Sequence, residues 1–219
     1  MTWHLQNEGH AVNEKRIRRL MRLMRLMPIY QKPNTSKPAN GHKTYPYLLG
    51  GLRIDRPNQV WCADITYVPM PRGHAYLCAV MDWHSRKVLG WAVSNTMGVD
   101  LCLAALEMAL ATTGAVPGIF NTDQGSQFTS SDWLSLLKQH GMVPSMSRHG
   151  NFHDNAVAES FFSALKKERI KRRIYPTRDE ARSDVFNYIE MFYNPIRRHG
   201  SAGNLAPVEF ERRYAQSGS

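Results

Sequence analysis

Between residues 60 and 93, three strand-like runs follow one another with little room to turn between them. VWCADITYV (60–68) is dominated by aromatic and β-branched residues and closes on the turn sequence PMPRG. HAYLCAVMD (74–82) and KVLGWAV (87–93) follow. Links this short cannot carry a crossover, so an antiparallel meander is expected. The period then changes. Residues 100–112 read as a helix and GIFNTD (118–123) as a short buried strand. Ser130 or Ser131 caps a helix holding Trp133, Leu134, Leu136 and Leu137, which Gly141 ends. MVPSMS (142–147) is the fifth strand. DNAVAESFFSALKKE (154–168) places Val157, Phe161, Ala164 and Leu165 on one helical face, with Asp154 or Asn155 as its cap. A last helix starts at the capping box TRDE (177–180) and carries Val185, Tyr188, Ile189 and Phe192. This order predicts an α/β fold: a mixed five-stranded sheet flanked by helices.

Charge separates the two ends of the chain. The 219 residues carry a formal charge of +10, with 28 Lys and Arg against 18 Asp and Glu. Residues 1–60 hold 11 basic and 3 acidic residues, while the remainder is nearly balanced. Within that arm, NEKRIRRLMRLMRLM (13–27) reads as a basic amphipathic helix capped by Asn13, with Ile17, Leu20, Met21 and Met24 as its apolar stripe. Arg18, Arg19, Arg22 and Arg25 lie off that stripe, and Arg16, Arg19 and Arg22 are candidate phosphate contacts, against the plain reading of a solubilising basic tail. Residues 31–57 contain four prolines and keep no hydrophobic period, so they read as a linker.

Other classes recede. Three dispersed cysteines, Cys62, Cys78 and Cys102, form neither a disulfide framework nor a zinc spacing. The N-terminus lacks the apolar core of a signal peptide, and LCLAALEMALA is broken by Glu107 and too short for a bilayer. A cytoplasmic protein with no membrane partner is expected.

Three carboxylates stand where structure alone gives them little reason to be. Asp64 interrupts the first strand, where Asp is disfavoured. Asp123 ends the fourth strand, the end at which open α/β sheets place ligands. Glu159 lies opposite the apolar stripe of its helix, with Lys166 two turns beyond. Oxygen ligands of this kind suit hard divalent cations, and a pair of such ions can serve phosphoryl transfer without a nucleophilic side chain. Singly, each acid is also readable as a strand-end charge, a turn former or a solvated helix residue.

The ordered segments WCADITYV, NTDQGSQFTS and DNAVAESFFSALKKE, with 35 residues between Asp123 and Glu159, resemble the integrase core of DDE transposases. So does the ending YNPIRRHGSAGNLAPVEFE. The resemblance is to the second-frame product of bacterial insertion sequences, kin to retroviral integrase. It implies a ribonuclease-H-like fold over 58–212, followed by a tail at 213–219. It implies that Asp64, Asp123 and Glu159 are the catalytic residues and ligands of Mg²⁺ or Mn²⁺, two ions in all. Lys166 and Lys167 would contact DNA. Tyr193, Asn194, Arg197 and His199 would brace the core or touch DNA, with bracing favoured, and Asp82 would be a turn residue outside the metal site. The implied activity is metal-dependent 3′-end cleavage and strand transfer of an insertion sequence. Its partners would be element ends and target DNA, further copies of the chain and a first-frame protein, in a nucleoid-associated setting. Residues 1–30 resemble the latter part of a helix-turn-helix, so the chain is expected to start inside that module, and residues 1–57 are expected to be loosely ordered while 58–212 fold. The alternative is a truncated, inactive DNA-binding remnant that modulates a full-length transposase.

Overall fold

A computed structural model describes residues 2–24, 44–148 and 150–217. The chain divides into two compact units, residues 1–39 and 40–219. In the first, a short helix α1 (Thr2–Asn7) precedes α2 (Glu14–Leu23). The Asn13 side chain accepts from the Arg16 backbone N–H at 2.8 Å and so caps α2 as expected. Ile17 is buried, whereas Leu23 and Met24 are exposed. Arg25 and linker residues 31–43 lie outside the described residues.

The second unit is built on β1 (Val60–Pro69), β2 (His74–Asp82), β3 (Val88–Ser94), β4 (Ile119–Thr122) and β5 (Val143–Met146). The sheet order is β3-β2-β1-β4-β5. β1, β2 and β3 pair antiparallel, and β4 joins β1 and β5 in parallel. Both faces are covered, so the strands are apolar on both sides. One face gathers Trp61, Ala63, Cys78, Val80 and Leu89 under α3 (Val99–Thr113) and α4 (Ser131–Gln139). The other gathers Cys62, Val68, Leu77 and Met81 under α5 (Ala156–Glu168) and α6 (Arg178–Tyr188). Gly90 allows α3 to sit close on β3: a Cβ there would lie 2.3 Å from the Ala105 carbonyl oxygen. Asp82 forms a turn as expected, accepting from the Asn58 and Ser85 N–H groups.

The structure corrects several boundaries. Residues 44–57, read as linker, belong with the sheet unit. Leu49 is buried, Met146 N–H donates to the Pro46 carbonyl, and Leu48 N–H donates to Ser145 Oγ. α7 (Pro207–Ser217) runs through residue 212, where the core was expected to end. On α5 the buried set is Val157, Ala158, Phe161, Phe162 and Leu165, so the apolar face is broader than the expected stripe. After α6 a π-turn, Ile189–Tyr193, inserts one extra residue into the helical period. Tyr193 is buried in place of the expected Phe192, which is only partly covered.

Candidate active site

Strand register brings the first two acids together. β1 and β4 are parallel, with Cys62 opposite Asn121. Continued by two residues, this register sets Asp64 level with Asp123, on chains about 4.8 Å apart. Strand alternation gives both acids the same face. Cys62 and Val68 pack on the α5 side, and so does Asn121, whose Nδ2 donates to the Asp154 carbonyl at 2.9 Å. The helix bearing the third acid is tied to the same place. Asn155 Nδ2 donates to the Ala63 carbonyl, the residue before Asp64, at 3.3 Å. Glu159 follows one helical turn later. Lys166 is two turns beyond it, about 10.5 Å along the axis.

The carboxylates are held by local donors and feel one another. Asp64 Oδ1 accepts from Ile65 N–H at 2.7 Å, and Asp123 Oδ1 accepts from Gly125 N–H at 3.0 Å. A Cβ on Gly125 would lie 2.9 Å from that Asp123 oxygen, so a side chain there would push the carboxylate out of this position. Burial first, then the Asp123 and Glu159 charges, push the Asp64 pKa up to about 7, against the Ile65 N–H and the Lys166 ammonium. Burial raises Asp123, offset by the Gly125 N–H. Desolvation also raises Glu159, with His153 opposing it.

Among the described residues no group of three or more His, Cys, Asp or Glu side chains is gathered tightly enough to hold an ion. The donor chemistry nevertheless fits a hard cation: three carboxylates face one region, and only one oxygen of Asp64 and of Asp123 is committed to a backbone N–H. Two buried oxygens on this side of the sheet, Thr66 Oγ1 and Asn155 Oδ1, lack a hydrogen-bond partner. Binding an ion would require side-chain rotation, which the exposed Glu159 can make.

The other candidates separate into groups. Lys166 is half-buried and close enough for its charge to act on Asp64, whereas Lys167 is exposed. Arg16, Arg19 and Arg22 are exposed on α2. Tyr193, Arg197 and His199 form a brace at the C-terminal end of α5. Arg197 grips Glu168 with Nη2 at 2.8 Å and Nε at 3.1 Å, Tyr188 OH donates to Glu168 at 2.7 Å, and His199 meets Tyr193 edge-on at 5.0 Å. Asn194 bonds to both backbone polar groups of Val88.

The expected cap of α5 needs correction. Asn155 occupies the N-cap position but makes no side-chain cap bond, because it reaches β1 instead. Asp154 is committed to Arg148, accepting from its N, Nε and Nη2 at 2.8–3.0 Å. A 3₁₀ turn, Phe152–Asn155, leads into the helix. Sequence reasoning also missed Asn121 and Gly125 as positioning residues. Their signal was there, an amide in an apolar strand and a glycine two residues after an acid, but their partners lie elsewhere in the chain or in the backbone.

The integrase core domain family matches residues 54–152 and again residues 159–214. Over 215 residues the chain is 39% identical to the transposase for insertion sequence element IS904 of Lactococcus lactis, covering 95% of this chain and 84% of that protein. The chain belongs to the integrase-core DDE transposases of insertion sequences. Within that family it is also 43% identical over 158 residues to transposase InsF for insertion sequence IS3A of Escherichia coli, covering 72% of this chain and 55% of that protein. An insertion element IS600 31 kDa protein of Shigella sonnei is 41% identical over 161 residues, 73% of this chain and 59% of that one. The matched part thus spans little more than half of these two relatives. Solved structures bear on the fold. The HTLV-2 integrase catalytic core superposes with a TM-score of 0.54 at 16% identity, over 71% of this chain and 97% of that chain. A chain of the simian T-cell lymphotropic virus intasome in complex with PP2A regulatory subunit B56 gamma gives 0.58 at 15% identity, over 96% of this chain and 70% of that chain. The fold is the ribonuclease-H-like integrase fold, its mixed sheet flanked by helices. No described helix is long and apolar enough to cross a membrane.

Proposed function

We propose that this chain cuts the 3′ ends of an insertion sequence and joins them to target DNA by metal-dependent phosphoryl transfer. The observation that supports the reading is the parallel register of β1 and β4, which brings Asp64 on β1 level with Asp123 just past the end of β4, with the Glu159 helix tied beside them through Asn155. Asp64, Asp123 and Glu159 are the side chains that would hold Mg²⁺ or Mn²⁺. Two such ions supply activation of the attacking oxygen and stabilisation of the leaving oxygen.

The chain's own residues bind and position. Gly125 and Ile65 N–H fix one oxygen of each aspartate, leaving the other for ligation. Lys166 faces the same region and pairs with a DNA phosphate. In the first step a P–O bond to water forms as the bond to the element's 3′ oxygen breaks, freeing a 3′-OH. In the second, that 3′ oxygen bonds to a target phosphorus as one target P–O bond breaks and the displaced oxygen takes the proton. No side chain becomes bonded to DNA. The exposed arginines of α2 would add charge contacts to the duplex, and a first-frame protein would complete recognition of the ends. Joining two ends to one target suits an oligomer, as in the intasome that supplies one structural neighbour.

The test uses labelled element-end duplex and plasmid target with the full chain. Asp64→Asn, Asp123→Asn and Glu159→Gln should each abolish cleavage and joining while leaving DNA affinity within about twofold. Wild-type protein that binds these ends but neither cuts nor joins them in Mg²⁺ or Mn²⁺ would favour the inactive-remnant reading.

A further inference from the structure

Four buried polar residues, Asn121, Ser145, Ser147 and Asp154, bridge the Asp123 loop and the start of α5. Ser147 follows β5 as Asp123 follows β4, and its backbone is engaged on both sides of that acid. Its N–H donates to the Thr122 carbonyl at 2.8 Å, and its carbonyl accepts from Gln124 Nε2 at 3.0 Å. Its hydroxyl donates to the Asp154 carbonyl at 3.1 Å. One residue therefore joins both neighbours of Asp123 to the segment that opens the Glu159 helix.

Further bonds fix the far side of this joint. The Asp154 carbonyl also accepts from Asn121 Nδ2, and Asn121 Oδ1 accepts from Ser145 Oγ at 2.9 Å, which sets the orientation of the amide. Arg148 holds the Asp154 carboxylate as a fork, with Nε on one oxygen at 2.8 Å and Nη2 on the other at 2.9 Å. Arg148 is itself exposed, and its guanidinium lies over the Tyr47 ring at 5.2 Å. Asn155, the next residue, reaches the Ala63 carbonyl beside Asp64. The start of α5 is thus pinned to β1, to β4 and to the chain just past β5.

Such a network could simply hold a loop in place. The places where its bonds end argue for more. They fall on residues adjoining Asp64 and Asp123 and on the entry to the Glu159 helix, and none uses an oxygen of those three acids. The backbones that carry the acids are fixed, while the exposed Glu159 side chain stays free to rotate. A fully satisfied buried network favours one arrangement over its neighbours. Ion size makes that arrangement matter. Mg²⁺ demands near-ideal octahedral geometry at about 2.0–2.1 Å, whereas Ca²⁺ accepts variable geometry at about 2.3–2.6 Å.

We propose that Ser147 and Arg148 are positioning residues that set the spacing of Asp123 and Glu159, and so fit the acids to a small ion such as Mg²⁺ over a larger one such as Ca²⁺. The inference rests on the proposed function for the presence of an ion at the acids; the joint itself is made by this chain alone.

The experiment uses the full chain without DNA. Bound Mn²⁺ is followed by its paramagnetic resonance signal and displaced by Mg²⁺ or by Ca²⁺, which gives an affinity for each. Ser147→Ala and Arg148→Gln should each weaken Mg²⁺ about ten- to a hundredfold, as loss of a residue that orients a metal ligand does, and Ca²⁺ by a smaller factor. Ser147→Thr, which keeps the hydroxyl, should retain the wild-type ratio. A merely structural role would weaken both ions alike, in step with the folded fraction read by circular dichroism. Should Arg148→Gln unfold because Asp154 loses its partner, Ser147→Ala decides, since the Asp154 carbonyl keeps the Asn121 donor. Folded variants with the wild-type ratio of Mg²⁺ to Ca²⁺ affinity overturn the proposal. Wild-type protein that binds no ion, or binding that survives Asp64→Asn, removes the proposed metal site and this inference with it. Ion binding without strand cleavage removes the proposed activity and leaves the positioning role standing.

Discussion

Replacing Asn194 with alanine should destabilise the sheet unit strongly. The side chain is 4% exposed and serves as a substitute strand partner: Oδ1 accepts from Val88 N–H at 3.0 Å, and Nδ2 donates to the Val88 carbonyl at 2.9 Å. Val88 opens β3, opposite Met81, where the pairing with β2 shifts register. Alanine leaves two buried backbone groups unsatisfied, at about 1–3 kcal/mol each. The expected loss is about 2–6 kcal/mol, read by urea unfolding through tryptophan fluorescence. Asn194→Asp refines the test. Its carboxylate can still accept from Val88 N–H but offers the carbonyl no donor until it is protonated. Its deficit relative to wild type should therefore shrink as pH falls. A loss below about 0.5 kcal/mol for Asn194→Ala, which is ordinary for a neutral surface change, would refute the reasoning.

Gly90→Ala should cost at least about 3 kcal/mol, the upper range for overpacking, because the added Cβ meets α3 backbone rather than a movable side chain; thermal melting checks it. Lys166→Ala should lower the slope of log affinity against log salt for element-end DNA by about one, as one lost phosphate contact does; anisotropy titrations at several salt concentrations measure this. Asp64 predicts a pH dependence in metal-free buffer. Its folded pKa of about 7 lies above the ordinary 3.8, so its contribution is fully present below about 3.8 and is lost as pH rises to about 7. Asp64→Asn should therefore gain stability relative to wild type across that window, by at most about 4 kcal/mol, and equal shifts at pH 4 and pH 7 would contradict it.

Much of this fold was legible because each strand and helix carries its own period. The three early strands, the Ser130 cap and the Thr177 cap follow from local residues, and the structure shows both cap bonds. What stayed hidden depended on partners distant in sequence. The π-turn that buries Tyr193 rather than Phe192 has no sequence period of its own, since it breaks the period it interrupts. Segment 44–49 looked like linker because it borrows its hydrogen bonds from Ser145 and Met146. Asn155 looked like a helix cap because its reach to Ala63 depends on which strand the helix covers. The acids stood out as a set only through the resemblance carried by the ordered segments around them. Their shared face follows from the parallel register of β1 and β4, which no single segment encodes.

Under the proposed function, Asp64, Asp123 and Glu159 together would hold the ions that act on the scissile phosphate. The most direct measurement replaces the bridging 3′ oxygen of an element end with sulfur and follows cleavage by the full chain in Mg²⁺ and in Mn²⁺. Sulfur is a poor ligand for Mg²⁺ and a better one for Mn²⁺. The account predicts that cleavage of the sulfur substrate relative to the oxygen substrate falls at least about tenfold in Mg²⁺ and recovers in Mn²⁺, with no activity from Asp123→Asn in either. Equal cleavage of both substrates in both ions, or cleavage that survives Asp123→Asn, would contradict it.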